Sequence, residues 1–270
     1  MAITIDGWAI SEIDYIAGFK AGANLFELSE VQNFTLNNTE ETKEFTGKNG
    51  SIIENIKTTK GCTGTGTNGV LSGGLMKFQT GDDSEGGTPV VSHKQQFEVA
   101  DASTLTYALD KKVSSTAIAG AEICYVYVQS GDSVTRFEQA TSADTGKFSY
   151  SADSGITFAA SALKKGDVVW FWYDIEVNAE NGMSGEIVNN YSDKYAGECE
   201  LIVSGLAIKC GTEAEFQIRV PRASFSGNWS LELSDSQTTH GFEFTSLKNR
   251  CSKTDNKFWS FAVFADEATA

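Results

Sequence analysis

Apolar and polar residues alternate along most of this chain, and glycine, asparagine or aspartate interrupts the alternation roughly every 8–12 residues. The cleanest stretches lie toward the C-terminus. Phe216, Ile218 and Val220 alternate with Glu215, Gln217 and Arg219; Trp229, Leu231 and Leu233 alternate with Ser230 and Glu232; Phe242 and Phe244 flank Glu243. Successive side chains of a strand point to opposite faces. The pattern therefore predicts strands over 215–220, 228–233 and 241–244 with one dry and one wet face. The same reading predicts strands at 31–37, 51–60, 123–128, 134–138, 168–177, 198–209 and 258–264. One or two more fall within 1–30, others within 90–109, and short ones around Phe148, Tyr150 and 156–158. The run Val168-Val169-Trp170-Phe171-Trp172-Tyr173 is apolar at every position, which places the first half of its strand inside a core on both faces. One segment has a different period. Leu71, Leu75 and Phe78 stand at i, i+4 and i+7, the mark of a short helix with one apolar face.

Residues 45–81 read as an arm. Lys48-Asn49-Gly50 predicts a tight turn, because Asn-Gly tolerates the positive φ angles that a hairpin needs. A strand extends from it over 51–60. The tract 61–69, which contains Gly64, Gly66, Asn68 and Gly69, lacks apolar anchors after Cys62 and reads as a loop or a poorly packed strand. A polar, glycine-punctuated arm cannot bury itself and needs a neighbour. Lys48, Asn49, Gly50, Ile52, Ile56, Gly64, Gly66, Asn68 and Gly69 are therefore candidate assembly residues.

The expected class is all-β: a β-sandwich or barrel with a short flanking helix and a long β-hairpin arm. The 270 residues suit a single domain over 1–270, with 113–177 as a β lobe inserted in it, since that stretch has its own rhythm of strands and turns. Two prolines against 26 glycines fit many strands joined by glycine turns. The net charge of −15 argues against binding a nucleic-acid backbone. Solubility alone is the plainer account of that charge. The five cysteines, Cys62, Cys124, Cys199, Cys210 and Cys251, are odd in number and include no C-x-x-C pair. They read as reduced, small, buried residues of a protein made in the cytoplasm, without disulfides. The N-terminal segment has neither the basic start nor the apolar region of a signal peptide, and no apolar run approaches membrane-spanning length.

No stretch carries a strong chemical signature, and no catalytic residue, cofactor site or metal site is assigned. His93 and His240 are far apart, and no Gly-x-Ser-x-Gly elbow accompanies them, so both read as surface or turn residues. Asp82, Asp83 and Glu85 lack the EF-hand spacing and read as a solvated acidic loop. Gly64-x-Gly66-x-x-Gly69 has no strand-turn-helix frame for a nucleotide. Asp174, Glu176 and Glu186 resemble a glycosidase's carboxylates, but strand alternation explains the first two as a wet face. The 170–173 aromatic cluster is a carbohydrate platform on one reading and plain core on the commoner one.

The order of segments nevertheless resembles the major tail tube proteins of tailed bacteriophages, of the Firmicutes-phage type. The resemblance is carried by Phe34-Thr-Leu-x-x-x-Glu-x-Thr, Thr46-Gly-Lys-Asn-Gly50, the Gly/Thr tract ending at Asn68-Gly69, and Gly74-Leu-Met-Lys-Phe-Gln-Thr-Gly81. Gly131-Asp132, Phe148-Ser-Tyr150 and Ala162-Leu-Lys-Lys-Gly-Asp167 are similar to phage structural repeats. Phe216-Gln-Ile-Arg-Val-Pro-Arg-Ala223 and Gly227-Asn-Trp-Ser-Leu-Glu232 fit the same set. The resemblance implies a non-enzymatic virion protein of the tail, with no membrane or cofactor. Its copies would form rings, hexameric by this reading, that stack into a tube, meet other tail proteins, and let DNA pass without specific binding. Glu215, Glu232 and Glu243 are then candidate lumen-facing acids, chosen from the wet strand faces. Two other classes stand beside it: a capsid decoration or other phage structural protein, and a carbohydrate-binding or hydrolytic β-sandwich.

Overall fold

A computed structural model describes residues 4–82, 88–235, 238–248 and 256–265. It is all-β apart from one short helix, with the strands in two sheets. The first segment holds β1 (Ala9–Lys20), β2 (Ala23–Leu28), β3 (Val31–Thr46), β4 (Ile52–Asn68) and α1 (Gly73–Thr80). Then come β5 (Val90–Glu98), β6 (Thr106–Tyr107), β7 (Ile123–Ser130), β8 (Ser133–Gln139), β9 (Lys147–Ser151), β10 (Gly155–Phe158) and β11 (Val168–Glu176). The chain closes with β12 (Glu198–Lys209), β13 (Thr212–Phe225), β14 (Leu231–Glu232), β15 (Thr239–Ser246) and β16 (Ser260–Phe264).

These elements form two units, Met1–Asp83 with Val188–Ala270, and Ser84–Ile187. The inserted unit is longer at both ends than the 113–177 stretch expected from sequence. The reason is that β5 pairs along its whole length with β11, from Val168↔Glu98 to Glu176↔Val90, and so belongs to the same sheet.

The first unit is built on an antiparallel sheet in the order β2-β1-β12-β13-β15-β4-β3, with β14 on β15 and β16 on β13. Ile16, Phe26, Leu28, Leu201, Val203, Phe216, Val220, Phe225, Phe242 and Phe244 form its core. Helix α1 contributes Leu75, fully buried, and Phe78, whose ring lies 5.5 Å from Phe26 and 5.2 Å from Phe225. Ser72 caps the helix: its Oγ accepts from the Leu75 amide at 3.2 Å. Gly81, at φ 69°, ends it in the left-handed conformation that glycine adopts without penalty. Leu71, expected on the helix, precedes the cap and is exposed.

The inserted unit's strands run β5-β11-β7-β8-β9-β10-β6 around Val126, Val128, Phe137, Phe148, Ile156, Phe158, Val169, Phe171 and Ile175. Here β11 departs from the sequence reading. It alternates from its first residue: Val169, Phe171, Tyr173 and Ile175 are buried while Trp170 and Trp172 are only partly so. Apolar residues at successive positions reflect two differently used faces, one core and one outer. A second difference lies at 228–233, where only Leu231–Glu232 is strand and Leu233 is exposed. Pairing there extends over just Leu231↔His240 and Glu232↔Thr239, too short to hold Leu233 against the core.

Candidate functional site

The longest strand pair, β3 with β4, runs in register from Val31↔Asn68 to Thr46↔Ile52, with bulges near Glu41/Thr42 and Phe45/Thr46. The turn forms where the sequence places it, with Asn49 at φ 82° and Gly50 at φ 73°. Gly47 N–H donates to Ser51 O at 2.7 Å, and Gly50 N–H to Gly47 O at 3.1 Å.

The pair has two halves. In the root, β4 is sandwiched between β3 and β15 over 63–68. Gly64 and Gly66 face Phe244 and Phe242 on one side and Leu36 and Phe34 on the other. A Cβ on either glycine would overlap the facing phenylalanine ring. The glycine column thus gives two rows of large side chains room to meet above it, and Phe34 stacks on Phe244 at 6.1 Å. The expectation of a loop or poorly packed strand is overturned, because β15 and β3 supply the anchors that 61–69 lacks. Gly64, Gly66 and Asn68 are buried and Gly69 partly so, which removes these four from the exposed assembly surface. Facing Phe-x-Phe and Gly-x-Gly pairs were the available signal, but nothing in one chain said that 242–244 pairs with 64–66.

The tip is different. Beyond Asn38↔Cys62 the strands pair, among the described residues, only with each other. Every residue of 37–46 and 50–60 is exposed. A two-stranded ribbon is marginal in water, and its outer edges offer free N–H and C=O groups. Exposed apolar side chains cluster here: Phe45, Ile52, Ile53 at 72% exposure, and Ile56. Phe45 and Ile56 share one face, because Lys43 pairs with Ile56 and stands two residues from Phe45. Lys43 lies over the Phe45 ring at 5.6 Å, and Lys57 pairs with Glu40 at 2.6 Å. Within 39–60, Glu40, Glu41, Glu44 and Glu54 balance Lys43, Lys48, Lys57 and Lys60, so the tip is neutral within a chain of net charge −15. Of the candidate assembly residues, Lys48, Asn49, Gly50, Ile52 and Ile56 lie in it.

Glu215, Glu232 and Glu243 are all exposed. Each alternates with a core-facing neighbour or pairs with such a strand's outer positions, so all three project from the face opposite the core. That face also carries cations. Arg222 pairs with Glu198 at 2.7 Å and Arg219 with Glu200. An acidic excess persists there, but the face is not purely acidic.

His240 departs from the surface or turn reading, whereas His93 is a partly exposed residue of edge strand β5. His240 is fully buried; its Nε2 donates to Gln79 Oε1 at 2.8 Å, and Gln79 Nε2 donates to Gly241 O at 3.1 Å. Burial holds this imidazole below its ordinary range. His93 Nε2 meets Asp110 Oδ1 at 3.0 Å, and Tyr173 O–H donates to the same oxygen at 2.7 Å. Burial first, then Asp110, push the Tyr173 phenol up. Glu176 accepts from the Ser115 amide at 2.9 Å and from Asn178 at 3.1 Å, so it ties loops to β11. Cys62 and Cys199 are buried, whereas Cys124 and Cys210 are exposed, which corrects the reading of all cysteines as buried; these four are free. Burial pushes the Cys199 thiol up to about 12. Asp82 is buried and accepts from the Asn189 amide at 2.7 Å. Asp83, Glu85, Cys251 and the last five residues lie outside the described residues. Among the described residues no cluster is placed to hold a metal ion, and no helix is long and apolar enough to cross a membrane. No protein-family model matches this chain, and no curated protein matches it.

Proposed function

We propose that this chain is a structural subunit of a phage tail tube, whose copies assemble into stacked rings that conduct DNA. The observation that carries the reading is the tip of the β3–β4 hairpin. It is a ribbon with two unpaired edges, an exposed apolar cluster and no net charge. Such an element is costly for a monomer and gains stability when a second copy pairs with an edge or covers Phe45, Ile52, Ile53 and Ile56. Neutrality lets another strongly acidic copy approach at this point without repulsion. A tip on one surface that meets a different surface of the next copy is a heterologous contact, which closes into rings or continues into stacks. Acids such as Glu215, Glu232 and Glu243 on the outer face would keep a sliding duplex from adhering.

The test trims the tip alone. Replacing residues 42–58 by Asn-Gly joins the paired Glu41 and Thr59 through a two-residue turn and leaves the root intact. Negative-stain images of the purified native chain are expected to show rings or tubes, and those of the trimmed chain folded, dispersed particles. A native chain that stays monomeric at high concentration, or tubes of native length from the trimmed chain, would defeat the proposal. Particles that decorate a capsid shell without forming tubes would favour the capsid reading instead.

A further inference from the structure

The outer face of the inserted unit's sheet has a composition that core packing does not explain. Trp170 pairs across to Tyr127, and Trp172 to Tyr125, so four aromatic side chains stand as a two-by-two block on neighbouring strands β11 and β7. The opposite face of the same strands, with Val169, Phe171, Val126 and Val128, already fills the core. The block is open: Tyr125 is 51% exposed, and Trp170, Trp172 and Tyr127 are partly so. The Tyr127 and Trp170 rings are nearly parallel, 24° apart with centroids at 6.3 Å, a separation at which they lie displaced sideways. Polar groups border much of the block, with Val168 and Val134 at one end of it. Gln96 and Lys94 sit beside Trp170 and Trp172 on β5, Arg136 sits beside Tyr127 on β8, and Gln129 and Asp174 lie one outward position along the strands. Lys94 lies over the Trp172 ring at 5.2 Å and Arg136 over Tyr125 at 5.8 Å. Lys94 and Arg136 stand against Asp174, against Glu138, the outward residue after Phe137 on β8, and against Glu98, the outward residue after Gln96 on β5, so this patch is slightly acidic.

We propose that this face binds an uncharged carbohydrate chain. Two outward positions along a strand span about 7 Å and two strands about 5 Å, the footprint of a sugar ring or two. The nearly parallel Tyr127 and Trp170 offer flat, rigid area at low entropic cost, with Trp172 standing edge-on beside Tyr127 at 87°, and the C–H face of a pyranose is the flat apolar surface that such rings cover. The hydroxyls at the ring's edge both donate and accept. They need a border that mixes amides, carboxylates and cations, which Gln96, Gln129, Asp174, Lys94 and Arg136 supply. Charge decides between ligands: a polyanion would meet a slightly acidic patch on a protein of net charge −15, whereas a neutral glycan meets no such repulsion. The surface lies in the inserted unit, so it stands or falls independently of hairpin-driven assembly.

The experiment is affinity electrophoresis of the full chain in gels cast with dextran, laminarin, galactomannan or hydroxyethyl cellulose, with tryptophan fluorescence titrations against cellohexaose and chitohexaose. Retardation in at least one gel, or a saturable fluorescence change with one hexaose, is expected. Trp170→Ala with Trp172→Ala should weaken it at least tenfold, while Val134→Ala at the edge of the same face leaves it unchanged. Tyr125→Ser with Tyr127→Ser, in the partner strand, provides the second variant if the tryptophan pair fails to fold. No retardation and no fluorescence change across the panel would overturn the proposal. So would equal binding by the variants. A self-association seen in sedimentation and lost in the tryptophan variant would assign the face to a second copy and likewise overturn it.

Discussion

The two halves of the β3–β4 hairpin share one strand pairing and end in opposite environments. Both are antiparallel ribbon rich in threonine and both contain glycine, but the charged residues all lie in the tip. In the root the glycines face phenylalanines of β15 and the strand is buried; at the tip no third strand pairs among the described residues, and isoleucines are left in water. The difference teaches that burial here is decided by the neighbour. A glycine strand, which alone has nothing to bury, becomes core once another strand brings rings to it.

The sharpest way to break this contrast is to remove the rings. Phe244 is fully buried, touches Phe34 and Phe225, and lies over Gly64. Phe244→Ala is expected to cost about 3–5 kcal/mol of unfolding free energy, because glycine beneath it offers nothing to refill the cavity. Chemical denaturation checks this. A loss below about 1 kcal/mol would mean that the root does not depend on β15.

The reverse change comes next. Gly64→Ala adds only a methyl group, yet that carbon would overlap the Phe244 ring, so about 1–3 kcal/mol should be lost to overpacking. Combined with Phe244→Leu, the penalty of the alanine should shrink, and a double-mutant cycle would show coupling above about 0.5 kcal/mol. Additive effects would place the strain elsewhere. Gly50→Ala, at a positive φ but with open space around it, should cost about 1 kcal/mol through backbone conformation alone and show no such coupling.

This contrast also explains what was legible in the sequence. Period-two alternation revealed nearly all the strands, the Asn49-Gly50 turn and the all-β class, since those follow from local backbone preferences. Leu75 and Phe78 revealed the helix. The fate of Gly64 and Gly66 was not legible, because it depends on Phe242 and Phe244, far along the chain, and pairing across that distance leaves no local mark. The same limit hid the inserted unit's true start: only the β5–β11 pairing draws 90–98 into it. His240 looked like a turn residue because its burial comes from Gln79 on a distant helix. Of the candidate site, the tip residues Ile52 and Ile56 were visible as apolar positions without a partner, whereas the neutrality of the tip emerged only once its limits were known.

A smaller effect depends on pH and acts on the root alone. His240 pairs in register with Asn68, the last residue of β4, and stays neutral because burial lowers its affinity for a proton below the ordinary value of 6.5. In the unfolded chain the imidazole takes up a proton as pH falls through 6.5, while the folded form resists. The unfolded state then binds more protons, so this contribution is fully present above pH 6.5 and is lost as pH falls below it, by at most about 1.4 kcal/mol per unit. Denaturation at pH 7.5 and 5.5 should show His240→Gln losing less on acidification than the native chain. An equal loss would assign the acid sensitivity to other groups.

The smallest effect on folding belongs to the tip, and it carries the largest consequence for assembly. Ile52, Ile53 and Ile56 are 55%, 72% and 43% exposed, so each already keeps much of its surface in water. Replacing the three by serine removes little burial from the isolated chain, and each change should alter unfolding free energy by no more than about 0.5 kcal/mol. Serine also lowers strand propensity slightly, an effect confined to a ribbon that frays independently of the root. In an assembly the account reverses. If neighbouring copies cover these side chains, each buried isoleucine contributes roughly 1.5–3 kcal/mol, and losing three would abolish ring formation at concentrations where the native chain assembles. Measuring unfolding and sedimentation on the same triple variant separates the two. Unchanged stability with lost assembly places the partner of the tip on another copy. A loss of several kcal/mol in the monomer would mean that the isoleucines pack within their own chain in solution, and the contrast between root and tip would disappear.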